Sequence, residues 1–530
     1  MKSRKYYSRR IIQILILLGL LYVLVNWRKI TFRLGNQCLA VDIVSWDEMH
    51  TKLAGHADAG HRPALSFNDH EVAWDGITEK YYLPQNMSEE IWDGLLSSRD
   101  GSLFWLEDAY FDKYQEAIAQ GHAFTLYCIG DGAWYRCEVV FTGMPVMVIE
   151  TEDGMEIDRE GAVSQGSMWL WDVKSQGKQY QSVGCQVSVR GDSSRGFPKQ
   201  GYKLVLEKKL SLLGLRNDED WVMAALWDDD GLIHNKFSYD VWQNMAAHNT
   251  VRKDEGTRME FVELFCNDIY MGVYGLVERM DAKQLGLDKN DILYKCHGFQ
   301  VADDAIEEDF GLSIAYDIKY PKAYDKDTWI PLKEYLDVCA ADVVTDYDKA
   351  ASFLNMENAI DYNIFMMLTW AEDNNARKNI CFVAEYGRDG PRQYQIIKVP
   401  WDLNFSWGQS TYDGDFDRKL YHPERIWDPS LWSFDIQAMY QCYPDEIEEL
   451  TRRRWRELRK DVLSEQRLFT MLDEEFAYLH GSGAYDRNYV RWDEHGRKTW
   501  KDEYIYEYVA GRLSYLDSFY EDFQMPKQQE

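Results

Sequence analysis

Apolar and polar residues alternate in CQVSVRG, from Cys185, and in GYKLVLE, from Gly201. The pattern predicts two strands on either side of a short connection. LIHNKFSYDVWQNMA, residues 232–246, has the spacing of an amphipathic helix, and MEFVELFCNDIYMGVYGLVERM predicts two strands around an Asn267-Asp268 turn. In MENAIDYNIFMMLTWAE, Ile360, Ile364 and Leu368 recur every four residues, which predicts a helix. NICFVAEY and YQIIKVPWDLNFSWG follow as a pair of strands joined by GRDGPR, and the tail, from PDEIEELTRRRWRELRKDVL onward, reads as mostly helix. Strands first and helices later, with few alternating units, imply an α+β fold rather than a doubly wound sheet.

Upstream the pattern is less regular. Residues 30 to about 145 alternate short helical and strand-like patches, among them SEEIWDGLL and HAFTLYCIG, and VMVIETEDGMEI at 146–157 reads as a β-hairpin turning at Asp153-Gly154. At the N-terminus the alternation stops. Ile11 to Trp27 is an apolar run of 17 residues between MKSRKYYSRR and Arg28-Lys29, about 25 Å as a helix and at the short end of what spans a bilayer. Small residues are missing where a cleavage site would need them, and more basic residues precede the run than closely follow it. These features predict an uncleaved signal anchor, a cytoplasmic N-terminus and an extracytoplasmic bulk. The expected division is a basic tail over 1–10, a transmembrane helix over 11–27, an accessory region over 30–180 and a main domain over 181–525.

Composition narrows the partners. The chain of 530 residues has a formal charge of −30, and without residues 1–29 it keeps 52 basic residues against 89 acidic ones. Nucleic acid is therefore excluded as an expected partner, whereas basic peptides and metal ions suit such a surface. Nine cysteines stand singly with no CxxC pair, which argues against a structural zinc site and a disulfide framework.

Against this acidity, RGDSSRGFPKQGYKLVLEKK at 190–209 holds six basic residues and two acidic ones. A loop of Ser, Gly, Arg and Lys between strands presents backbone N–H groups, hydroxyls and cations to one point, an environment suited to phosphate oxygens. Two further segments enlarge the set. In WAEDNNARKN, Asp373 lies just past a predicted helix with Asn379 six residues on, and in PWDLNFSWG, Asp402 lies at the end of a strand. Phosphoryl transfer needs such a kit: one carboxylate to orient and deprotonate a hydroxyl, a carboxylate and an amide oxygen for divalent metal, and a lysine for the remaining charge. The order lysine, helix, hairpin, base, metal ligand is that of protein kinases.

Five successive blocks, VRGDSSRGFPKQGYKLVL, LLGLRNDEDWVMAALWDDDGLIHNKFSYDVW, FVELFCNDIYMGVYGLVERMD, EDNNARKN and PWDLNFSWG, resemble those of the CotH family of atypical secreted and spore-coat protein kinases, over about residues 181–525. The resemblance implies an atypical kinase fold with a β-rich N-lobe and a helical C-lobe. It implies use of ATP with Mg²⁺ or Mn²⁺ to phosphorylate protein serines. By position, Asp373 corresponds to the catalytic aspartate, Asp402 to the metal-binding aspartate and Asn379 to the second metal ligand. The basic loop with Lys199 and Lys203 corresponds to the phosphate cradle, with Arg190, Ser193 and Ser194 as further donors. Glu278 and Arg279 fall where a kinase hinge begins, and either could face nucleotide.

Members often carry W-D-x-D where this chain has Trp401-Asp402-Leu403-Asn404, so a second carboxylate is replaced by an amide. The expected function is transfer of the ATP γ-phosphoryl group to Ser or Thr of a protein, favouring a basic, Ser-rich substrate. The alternative is an inactive kinase-like surface interaction or assembly protein.

Overall fold

The structure is a computed structural model that describes residues 36–521, apart from 175–178, 192, 252, 298–311, 313–314, 340–345, 375–377, 388–393, 410–433 and 493–499. Residues 36–142 form a mixed eight-stranded sheet and a small three-stranded one over an aromatic core that includes Trp92, Trp105, Phe124 and Phe141. HAFTLYCIG supplies the strand Ala123–Ile129 as expected, whereas SEEIWDGLL forms turns and no helix.

Seven strands then close into a barrel: β1 (Val146–Thr151), β2 (Ser164–Asp172), β3 (Gln179–Arg190), β4 (Gly201–Ser211), β5 (Asn217–Ala224), β6 (Met259–Cys266) and β7 (Ile269–Glu278). The order around the barrel is β1-β2-β3-β4-β5-β7-β6, and β6 runs parallel to β1 to close it. Period-two alternation fills the interior with Val187, Val189, Tyr202, Leu204, Trp221, Met223, Tyr274 and Leu276. The intervening Arg190, Lys203 and Val222 consequently point outward. At Asn267 and Asp268 both φ values are positive, 48° and 62°, as a tight turn between β6 and β7 requires. The turn at Asp153-Gly154 also forms, but the strand that pairs with β1 is Ser164–Asp172 and not the residues immediately after it.

Helix α1 (His234–Ala246) leaves the barrel between β5 and β6. Beyond the barrel, β8 (Ile292–Cys296), β9 (Tyr316–Tyr320), β10 (Ile380–Tyr386) and β11 (Tyr394–Pro400) form a second sheet in the order β9-β8-β10-β11. Helix α2 (Met356–Thr369) precedes β10 and is buried on every side, which is why its sequence is apolar nearly all round. The tail folds as α3 (Pro444–Arg459), α4 (Glu465–Gly481), α5 (Ala484–Arg491) and α6 (Glu503–Glu521).

Helix α5 latches onto the barrel. Arg487 reaches Glu263 on β6 with two bonds of 2.9 Å, both groups being almost wholly buried. Arg491 and Trp492 donate to the Tyr270 and Met271 carbonyls of β7.

The fold is α+β, but the expected pair of lobes behind a membrane helix is corrected in three respects. The β-rich part is a closed barrel that includes Val146–Asp172. Its helical neighbour carries a four-stranded sheet of its own. Among the described residues no helix is long and apolar enough to cross a membrane; Ile11–Trp27 lies outside them, and the single-pass localisation drawn from that run is withdrawn. All nine cysteines are free thiols.

Candidate active site

The outer face of the barrel and the second sheet enclose a cavity of about 510 Å³. The barrel contributes Arg190, Lys203 and Asp220–Val222, the segment after β7 contributes Arg279–Lys283, and the sheet side contributes Lys295, Lys319, Lys322, Cys381 and Trp401. Seven lining residues are basic and two, Asp220 and Asp281, are acidic, a reversal of the charge balance of the chain. Lys283 is neutralised by Asp218 and Glu219 at 2.8 and 2.9 Å, Lys319 by Asp317 at 2.7 Å, and Arg279 stands 3.7 Å from Asp220. Arg190, Lys203, Lys295 and Lys322 have no ion pair with any described residue. Four cations without ion-pair partners in one concavity, two of them opposed only by the charge of Asp402, suit a multiply charged anion.

At the sheet end of this cavity the chain makes a strained crossing. Trp370, Asn379, Asp402 and Trp407 all have left-handed backbones, with φ of 50°, 54°, 60° and 52°. Asn and Asp tolerate that region, whereas Trp does not without help from its surroundings. The help is visible. Trp370 ends α2, and the N–H of Trp407 donates to the Thr369 carbonyl at 2.7 Å. Asn374 Nδ2 bridges the carbonyls of Asn379 (3.1 Å) and Trp401 (2.6 Å), and Trp401 N–H donates to Asn379 at 3.0 Å. From α1, Asn235 Oδ1 accepts the Leu403 N–H at 2.8 Å and the Tyr239 hydroxyl accepts the Asp402 N–H at 3.3 Å. Backbone strain held by so many bonds gathers at sites where side chains must be aimed.

The side chains so aimed are Asp373, Asn379 and Asp402. Asp373 accepts from Lys378 Nζ with both oxygens at 2.7 Å and from Asn379 Nδ2 at 3.0 Å. None of the three lines the cavity itself; Asp402 follows Trp401, which does, and its side chain is exposed although dense structure surrounds it. That crowding, and next the charge of Asp373, push its carboxyl above the usual range, while Arg190, Lys295 and Lys378 pull it back. Burial lowers the guanidinium of Arg190, and the charge of Asp402 opposes the shift. Burial likewise lowers Lys295, against Cys381 and Asp402. Asp402 thus lies under the charge of Asp373 and within a cationic surround that includes the end of β3.

The remaining sequence candidates scatter. Lys203 lines the cavity. Lys199 does not: it is 1% exposed, donates to the Val273 carbonyl and to Asn488 Oδ1 at 2.9 Å, and lies over the Tyr274 ring. It joins barrel to α5 and is no part of a phosphate cradle. Glu278 is buried and accepts the Arg216 N–H at 2.8 Å, so of the hinge pair it is Arg279 that faces the cavity. Ser194 lies in a short 3₁₀ turn, Ser193–Gly196, outside the cavity lining, and the side chain of Ser193 is outside the described ones. Asn404 is buried behind the crossing, where its carbonyl accepts from Gln409 at 3.0 Å. Sequence reasoning missed Lys295, Lys378, Asn374, Asn235 and Tyr239. Lys378 stands next to Asn379 in a quoted motif, whereas Lys295 sits in an ordinary strand with no local signal.

The model of the CotH kinase protein family matches residues 187–516. The chain belongs to the CotH kinase family. The match spans all but the first barrel strands, the whole second sheet, and helices α1 to α5 with most of α6. Among curated proteins none matches the chain.

Proposed function

We propose that this CotH-family chain is a protein kinase that transfers the γ-phosphoryl group of ATP to a Ser or Thr hydroxyl of a protein. The observation that carries the reading is a cavity lined by four cations without ion-pair partners and bounded by Trp401, which leads directly into Asp402, a carboxylate under the charges of Asp373, Arg190 and Lys295. Four positive charges match those of a triphosphate, and the adjoining carboxylates supply what phosphate binding alone does not need.

Asp373, held by Lys378 and Asn379, orients the acceptor hydroxyl and takes its proton as the oxygen bonds to the γ-phosphorus. The bond from that phosphorus to the bridging oxygen breaks, and ADP leaves with the electron pair. Arg190 and Lys203 bind the phosphates from the barrel side. Asp402 and Asn379 offer a carboxylate and an amide oxygen, the hard donors that Mg²⁺ or Mn²⁺ prefers, and crowding of Asp402 against Asp373 is relieved by a cation there. A bound divalent ion would add neutralisation of phosphate charge. The acidic exterior favours a basic, Ser-rich protein segment as acceptor.

A second reading, a kinase scaffold that binds nucleotide without turnover, is favoured by the ion pair that already engages Asp373. Both of its oxygens accept from Lys378, so an acceptor hydroxyl must share the carboxylate with that lysine. Melting of the purified protein with and without ATP and Mg²⁺ or Mn²⁺ tests nucleotide use. Stabilisation by several degrees, lost in Asp402→Ala, supports either kinase-derived reading. A parent protein whose melting ignores ATP refutes both.

A further inference from the structure

We propose that Lys295, on β8 of the second sheet, is the principal cation for the terminal phosphates, a role that the sequence order assigns to the basic hairpin of the barrel. The inference rests on the nucleotide reading of the cleft and adds the residue that grips the triphosphate.

Lys295 projects from the middle of the sheet into the cavity. Its cross-strand neighbours are Cys381 on β10 and Asp317 on β9. Cys381 offers no charge, and Asp317 is taken by Lys319 at 2.7 Å. The ammonium instead lies 5.6 Å from the centre of the Trp401 ring, the residue before Asp402. A ring face steadies a cation without neutralising it. A half-buried ammonium with a ring below, a thiol beside it and open cavity ahead has room for an anion.

Position separates Lys295 from Lys203. Lys295 and Arg190 line the cavity from its two sides, the sheet and the barrel, and the charges of both act on Asp402. Lys203 stands two residues past the Arg190–Gly201 pair on β4, opposite Val222, with its side chain exposed. A triphosphate whose end lies at Asp402 is therefore gripped between Arg190 and Lys295, with Lys203 nearer the mouth. Lys295 also belongs to the sheet whose strand β10 follows Asp373 and whose strand β11 ends two residues before Asp402.

Calorimetric titration of the full chain with ATP, inorganic tripolyphosphate and adenosine, each with Mg²⁺, tests this. Lys295→Met should weaken ATP and tripolyphosphate about ten- to a hundredfold and leave adenosine unchanged. Lys295→Arg should recover part of the loss, and Lys203→Met should cost less than Lys295→Met. Unchanged ATP binding in Lys295→Met, a larger loss in Lys203→Met, or an equal loss of adenosine would each overturn the assignment. A parent chain that binds neither ATP nor tripolyphosphate would instead remove the nucleotide reading on which it rests.

Discussion

Asp254 provides a test of the buried polar framework behind the site. It is wholly buried beside α1 and α2, where Oδ2 accepts from Asn249 Nδ2 at 3.1 Å and from Asn358 Nδ2 at 3.0 Å. Oδ1 has no hydrogen-bond partner. Burial, reinforced by the charge of Asp361, raises its pKa to about 7 against the pull of the two amides. Asp361 is itself tied to Arg454 at 2.6 Å, so no cation is left to balance Asp254. Because the folded state holds this proton more tightly than the unfolded chain, the contribution is fully present below the unfolded value near 4. It is lost as pH rises through about 7. A difference of roughly three pH units corresponds to at most about 4 kcal/mol, and about 2 to 4 kcal/mol is the expected range. Asp254→Asn replaces the protonated acid with a neutral group of the same shape. Urea unfolding followed by tryptophan fluorescence should show parent and variant alike near pH 4.5 and the variant more stable by that amount at pH 8. A variant destabilised equally at both pH values would refute the reasoning.

Three further outcomes follow from the same contacts. Arg487→Met leaves Glu263 buried without its cation and should cost about 3 to 5 kcal/mol, most of it regained when Glu263→Gln is added, as read by chemical unfolding of the single and double variants. Lys199→Met removes the tie between Val273 and Asn488 and should cost about 1 to 3 kcal/mol in the same experiment. The folded variant should keep its ATP affinity, because that lysine does not line the cavity. Raising salt from 50 to 300 mM should weaken ATP binding severalfold by screening the unpaired cations, with little change in adenosine binding.

Strand and helix positions in the matched region were legible because each buried face has a regular period. The alternation that put Leu204 inside the barrel put Lys203 outside it. Barrel closure was not legible, since the parallel pairing of β1 with β6 joins segments more than a hundred residues apart and leaves no local mark. For the same reason VMVIETEDGMEI read as a complete hairpin, although its partner begins at Ser164. In the candidate site, Asp373, Asn379 and Asp402 came from motif spacing, and the crossing that joins them follows from short-range pairing of β10 with β11. Lys199 misled because two lysines four residues apart in a basic stretch differ only in what the third dimension puts beside them. Lys295 was invisible because its meaning comes from a ring and a carboxylate about a hundred residues later.

In the proposed reaction Asp373 acts on a hydroxyl while a triphosphate occupies the cationic cleft. Its most direct measurement is incorporation of phosphate from γ-labelled ATP, with Mg²⁺ or Mn²⁺, into the protein itself and into a synthetic peptide of Ser, Lys and Arg. The parent should label hydroxyl side chains, and in a folded Asp373→Ala variant that still binds ATP the labelling should fall at least about a hundredfold. Labelling undiminished by that substitution, or a nucleotide-bound parent that labels nothing, would contradict it.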